Sequence, residues 1–212
     1  MKKFMMIVLI LAVAVMAGCA SYTVQSVPSQ LDENKIVKAE KDDISVTAFP
    51  ILTEEDSKRY FDANLPRENV MAIYVNILNT SPNIVEIIAS NLIVHSRQQS
   101  IEPLPIEKVY KVVKRNWVGR SAVWMLGLYV AAPISAIHTA SVNKDVEQDL
   151  KGKVLKIGDV IKSKTFTQGF LWFKLPDDVA LEEMGDKKLA LKMIFKKDGK
   201  LVECNLPIKP SK

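Results

Sequence analysis

The sequence predicts a mainly β fold, an antiparallel β-sandwich interrupted by an α-helical insertion. Three observations predict it. Short apolar runs with strand-like alternation fall in two blocks, residues 44–106 and 153–208, each punctuated by turn residues. Between the blocks, from Pro105 to about Leu150, apolar residues recur at helical spacing instead. The chain has 212 residues, 48% of them hydrophobic and 25% charged, which suits one globular domain with an appendage and excludes wholesale disorder.

The elements follow in order. Ile44-Ser45-Val46-Thr47-Ala48-Phe49 alternates apolar with small or polar residues, a strand. Thr53-Glu54-Glu55-Asp56 gives a helix start, an oxygen-bearing cap before acidic residues that favour a helix N-terminus. The helix runs to about Phe61, and Asn64-Leu65-Pro66 stops it. Val70 to Leu78 and Ile84 to Val94 are β-branched and apolar, the second interrupted by Ala89-Ser90-Asn91. Asn79-Thr80-Ser81-Pro82-Asn83 turns between them, so the pair forms a β-hairpin or a sandwich corner. Thr165 to Phe173 is aromatic-rich and strand-like. Leu189 to Phe195 and Lys200 to Leu206 are strands joined by Asp198-Gly199, a two-residue hairpin signal.

The insertion, at about residues 105–151, has helical ends. Ile106, Val109, Tyr110 and Val113 share one helix face, and Val142, Val146 and Leu150 recur every four residues. Between them, Ser121 to Asn143 carries no formal charge apart from neutral His138. These 23 residues are long enough by count to cross a bilayer, but Pro133 splits them, and a 12-residue half covers only ~18 Å of a ~30 Å hydrocarbon core. Small residues at Gly127, Ala131 and Ser135, and at Ala132, Ala136 and Ala140, permit close helix approach. Trp124, Leu126, Leu128 and Tyr129 form the candidate interaction surface. Residues 118–143 pack on the sandwich itself, on a bilayer, or against a protein partner.

The N-terminus has a different character. Lys2 and Lys3 precede an unbroken apolar run, Phe4 to Ala17, which has the length of a signal-peptide core and ends in Met16-Ala17-Gly18-Cys19. This segment resembles a bacterial lipoprotein signal peptide with its lipobox, with Met16 where Leu is usual. The resemblance implies cleavage of residues 1–18 between Gly18 and Cys19 and acylation of Cys19, palmitate included, enough for stable membrane anchoring. Residues 19–43 then form a polar tether, and the folded domain covers 44–208. Ala20, where Asp would favour inner-membrane retention, implies the outer membrane facing the periplasm in a Gram-negative cell.

The body also resembles a group of largely uncharacterised bacterial envelope lipoproteins with an immunoglobulin-like β-sandwich. The residues that carry the resemblance are the acidic helix with Phe61 and Leu65, Val75-Asn76-Ile77-Leu78-Asn79, the middle helical stretch, Asn143 with Asp149-Leu150, and Gly169-Phe170-Leu171-Trp172-Phe173. The likeness is structural and carries over no catalytic or ligand residue.

Known chemistries find little support. His95 and His138 lie 43 residues apart, without other ligands at metal-binding spacing. Glu54-Glu55 and Asp177-Asp178 suit a helix start and a turn rather than a glycosidase pair. Nucleotide and hydrolase fingerprints are absent from the sequence. Once residues 1–18 are removed, 27 basic residues face 24 acidic ones, with no basic cluster interleaved with aromatics, so nucleic acid is not the expected partner. With Cys19 acylated, Cys204 has no disulfide partner and is expected to be a buried thiol. No metal or cofactor is expected. The functional expectation is a non-enzymatic, lipid-anchored interaction module of the cell envelope. The alternatives are a structural subunit of an envelope or transport assembly that docks through the apolar insertion, and an enzyme with an unrecognised site.

Overall fold

The computed structural model describes residues 33–95, 98–114, 131–177 and 189–208. Two antiparallel sheets pack face to face, with helices laid on the outer side of one of them. The first sheet has the order β1 (Val37–Lys41), β2 (Ile44–Ile51), β3 (Val70–Asn79), β7 (Thr165–Lys174). The second has the order β5 (Gln99–Ile101), β4 (Val85–Val94), β8 (Leu189–Lys197), β9 (Lys200–Ile208), with the short β6 (Val160–Ile161) also on β4. Among the described residues three α-helices accompany them: α1 (Glu54–Phe61), α2 (Ile106–Val113) and α3 (Ala131–Lys153).

The core follows from alternation along the strands. Ile44 and Val46 of β2, Ile73, Val75 and Ile77 of β3, and Leu171 and Phe173 of β7 face the second sheet. From there Ile87 and Leu92 of β4, Leu191 and Phe195 of β8, and Val202 and Leu206 of β9 meet them. All are at most 5% exposed.

The run Val70 to Leu78 and the run Ile84 to Val94 make a sandwich corner, not a hairpin, since β3 and β4 belong to different sheets. Asn79, fully buried, ties that corner. Its Nδ2 donates to Asn83 O at 2.7 Å and to Ile161 O and Lys162 O at 3.2 Å, while its Oδ1 accepts from Ser81 N at 3.0 Å and Ser81 Oγ at 2.6 Å. Ala89-Ser90-Asn91 does not interrupt the strand: the three residues pair with Ile194, Met193 and Lys192, and a register shift lies just before them, between Ile87 and Ala89. Asp198-Gly199 turns as expected, with positive φ at both residues.

One boundary differs from the sequence reading. Val37–Lys41, assigned there to the tether, is β1 and pairs along its whole length with β2. Its charged residues Lys38, Glu40 and Lys41 are exposed because an edge strand presents only one face to the core, and Val37 and Ala39 supply that face. Asp42 and Asp43 close the β1–β2 hairpin, both with positive φ, a conformation Asp adopts more readily than most side chains. The folded body therefore begins by Glu33, eleven residues before the expected start at Ile44.

Candidate functional site

An antiparallel sheet with one wet face would carry polar side chains there. The first sheet does not, over the half nearer α1. Phe49 and Ile51 of β2, Ala72 and Tyr74 of β3, and Phe170 and Trp172 of β7 point away from the sandwich core, and all are at most 4% exposed. What covers them is the helical layer: Tyr60 and Phe61 of α1, Leu65 after it, Val109 and Val113 of α2, and Val142, Val146 and Leu150 of α3. The apolar face expected between 106 and 113, and the four-residue recurrence at 142, 146 and 150, are both the sheet-facing sides of these helices.

Aromatic rings form the centre of this layer. The Phe61 ring meets Phe170 edge-on at 5.0 Å and Trp172 at 5.9 Å, and Tyr74 lies 5.3 Å from Phe170. Such edge and tilted pairings are the favoured arrangements for aromatic quadrupoles. Tyr74 Oη donates to Gln168 Oε1 at 2.7 Å, and burial pushes its phenol above the ordinary value. Trp172 Nε1 is buried with no hydrogen-bond partner among the described residues.

The helices are seated by specific devices. Thr53 caps α1, its Oγ1 accepting from Asp56 N at 3.1 Å, as the sequence predicts. Leu104 N donates to Trp172 O at 2.6 Å, holding the entrance of the insertion against β7. At the exit, Lys153 is 5% exposed. Its Nζ donates to Tyr60 O at 2.9 Å and Asp149 Oδ2 at 2.8 Å and sits 5.9 Å from the centre of the Phe61 ring. Beyond it the chain passes so close to β7 that a Cβ at Gly169 would lie 2.5 Å from Leu155 N. This passage carries the chain from the helical layer into the sandwich core and on to β6.

The helix α3 changes character along its length. Its last thirteen residues, Ser141 to Lys153, carry Lys144, Asp145 and Lys151 on the exposed side, Val142, Val146 and Leu150 on the sheet side, and the largely buried Asp149–Lys153 pair at the end. Its first ten, Ala131 to Ala140, carry none apart from neutral His138. The helix continues through Pro133. Among the described residues no helix is long and apolar enough to cross a membrane.

Of the residues singled out by sequence, Gly18, Cys19, Trp124, Leu126, Leu128 and Tyr129 lie outside the described residues. His95 is exposed at the end of β4, and His138 belongs to α3. Cys204 is a free, buried thiol, 2% exposed, as expected, and burial pushes its ionisation up. Among the described residues no group of three or more His, Cys, Asp or Glu side chains is placed to hold a metal ion. Sequence reasoning passed over the Asp149–Lys153 pair, although its i, i+4 spacing on a helix was visible. It also passed over the outer aromatic face, which the unbroken apolar stretch Val70 to Val75 signals, since a strand apolar at every position is covered on both sides. No family model matches this chain, and no curated protein or solved structure shows significant similarity to it.

Proposed function

We propose that this chain is a lipid-anchored protein of the bacterial cell envelope, a non-enzymatic interaction module of immunoglobulin-like type that docks through its helical insertion. The observation that carries the reading is the continuity of α3. One half of the helix is pinned to the sheet by Val142, Val146 and Leu150, and the same helix extends into sequence without charge.

The immunoglobulin-like assignment is supported by strand order. Leaving out β1 and the two-residue β6, one sheet runs β2-β3-β7 and the other β9-β8-β4-β5, so the chain changes sheets after the second, fourth and fifth of these strands and places the last two side by side. Such alternation between the two sheets supports a Greek-key sandwich of that class. The insertion occupies the connection from β5 to β6, where sequence can be added without disturbing a ladder.

The lipid anchor is supported by the lipobox-like Met16-Ala17-Gly18-Cys19 and the apolar run before it. Cys19 would carry the membrane attachment. The domain would then stand on the periplasmic side of the outer membrane in a Gram-negative cell, with residues 118–143 meeting a protein partner or a bilayer.

The test is metabolic palmitate labelling of wild type and Cys19→Ala, followed by pull-down from detergent-solubilised envelopes with Leu126→Asp and Leu128→Asp. The expected result is loss of label and a larger precursor in the first variant, and lost association at unchanged melting temperature in the others. A Cys19→Ala protein processed and labelled like wild type would refute the anchor.

A further inference from the structure

The place where the chain enters the fold constrains what the helical layer faces. Ile36 packs against the same cluster as Val109, Val113, Val142, Val146 and Leu150. Next to it, Lys35 Nζ lies 2.9 Å from Asp56 Oδ2, in the first turn of α1. The N-terminal chain therefore enters beside the helices. From Cys19 to Glu33 is a step of fourteen residues, which cannot span more than about 50 Å even when fully extended.

The exposed side of α2 adds a second observation. Lys108, Lys111 and Lys114 recur every third residue there, all exposed, while Val109 and Val113 are buried against the sheet. Arg115 and Arg120 follow in the sequence, immediately before the uncharged stretch. Basic side chains next to apolar sequence are the composition that binds anionic lipid surfaces, since long cationic side chains reach headgroups while apolar residues enter the acyl boundary.

The opposite end of the sandwich is different ground. The Asp42-Asp43 turn lies the full length of β2 away from α1, roughly 25 Å at the rise of a strand. The β8–β9 hairpin ends beside it, Lys197 Nζ lying 2.8 Å from Asp43 Oδ2.

We infer that the helical layer rests on the same bilayer that holds the Cys19 lipid, with the lysines of α2 on anionic headgroups and the uncharged start of α3 at the acyl-chain boundary. The inference rests on the lipid-anchor reading above and chooses the bilayer over a protein partner. The contact is interfacial rather than spanning. Among the described residues no helix is long and apolar enough to cross a membrane, and Pro133 divides the uncharged sequence. In this orientation the Asp42-Asp43 and Asp198-Gly199 turns point away from the membrane.

The full lipidated protein, reconstituted into vesicles of phosphatidylethanolamine and phosphatidylglycerol, tests this. A bimane fluorophore is attached at Ser135→Cys or, separately, at Lys200→Cys. Cys204, 2% exposed, does not compete for the label. Lipids brominated on their acyl chains should quench the label at 135 several-fold more than the label at 200. Lys108→Glu/Lys111→Glu/Lys114→Glu should bring the two towards equality. Thr139→Cys replaces Ser135→Cys if that variant fails to fold. Anchored protein with equal quenching at both positions overturns the inference. So does a label at 135 that is shielded from aqueous iodide yet untouched by the brominated lipid, because a protein surface then covers it. Protein that does not stay with the vesicles removes the anchor reading and this inference together, whereas the preceding outcomes remove this inference alone.

Discussion

Lys153, at the end of α3, donates a hydrogen bond to the main-chain carbonyl of Tyr60 in α1, 2.9 Å away. The two residues are 93 apart in sequence, and the bond fastens the exit of the insertion to the helix that follows β2. The ammonium is almost fully buried, so it must be matched, and Asp149 one turn earlier matches it at 2.8 Å. The Phe61 ring takes part of the remaining charge on its face.

This arrangement predicts an asymmetric mutational response. Lys153→Met removes the cation and leaves the Asp149 carboxylate, 10% exposed, without it, at a cost of roughly 3 kcal/mol in unfolding free energy. Lys153→Met/Asp149→Leu removes both charges and should recover most of the loss, since a buried pair contributes little over well-packed apolar residues. Urea unfolding of the two variants checks it. A double variant as unstable as the single one would show that the pair supplies net stability.

Gly169 should tolerate no side chain. A Cβ there would lie 2.5 Å from Leu155 N, 2.8 Å from Leu155 Cα and 2.9 Å from Lys153 O, all backbone atoms that cannot rotate aside. Gly169→Ala forces the 153–155 passage away from β7 and weakens the Leu155 N to Phe170 O bond, 3.0 Å long. The expected loss is about 2–3 kcal/mol. Thermal unfolding reads it, and an unchanged melting temperature would mean that the passage is looser than its geometry implies.

Much of the architecture was legible, and what was not has physical causes. Thr53-Glu54-Glu55-Asp56 and Asp198-Gly199 act through contacts within a few residues, and Val142/Val146/Leu150 mark a helix face by their spacing alone, so local sequence states them. The division of β3 and β4 between sheets does not have that property. It depends on the bonds from Asn79 to Ile161 and Lys162, over eighty residues away. β1 escaped notice because Lys38, Glu40 and Lys41 lie on its wet side, and an edge strand buries too little to look apolar. The helical layer's aromatic floor was spread over three strands, and only sheet pairing brings Tyr74 opposite Phe170. Of the site, the helical faces were visible; the Lys153–Tyr60 bond, made to a main-chain oxygen, had no sequence signature.

Two buried polar residues make opposite predictions. Asn79→Ala takes the acceptor from Ser81 N and a donor from Ile161 O, while Asn83 O keeps Ser81 Oγ and Lys162 O keeps Thr165, and should cost about 1–3 kcal/mol. Ser90 Oγ, in contrast, is buried without a partner among the described residues. Ser90→Ala removes an unsatisfied hydroxyl and should leave stability unchanged or raise it by up to about 1 kcal/mol. Denaturant midpoints of the two variants, measured side by side, should move in opposite directions or in one case not at all. A marked loss in Ser90→Ala would reveal a partner for that hydroxyl.

Alkaline pH should weaken the fold through two residues on different sides of the first sheet. Burial raises the thiol of Cys204 and the phenol of Tyr74 above their ordinary values, because their charged forms are poorly solvated inside. Each group holds its proton to higher pH when folded than when unfolded. Its contribution is therefore complete below the unfolded value, 9.0 for the thiol and 10.0 for the phenol, and is lost as pH rises from there through the folded value. Lys151, raised by its bond with Glu147, adds a loss of the same sign, although it is exposed. Comparing variants separates the buried groups from such surface terms. The melting temperature of wild type should fall between about pH 8 and about pH 10.5, and that of Cys204→Ala/Tyr74→Phe should fall less over the same interval. At about pH 8 the native thiol should also resist iodoacetamide until the protein is unfolded, since the thiolate is the nucleophile and Cys204 holds its proton inside the core. Equal alkaline slopes in both proteins, or rapid alkylation of the native state, would show that water reaches Cys204 and Tyr74 more freely than their burial implies.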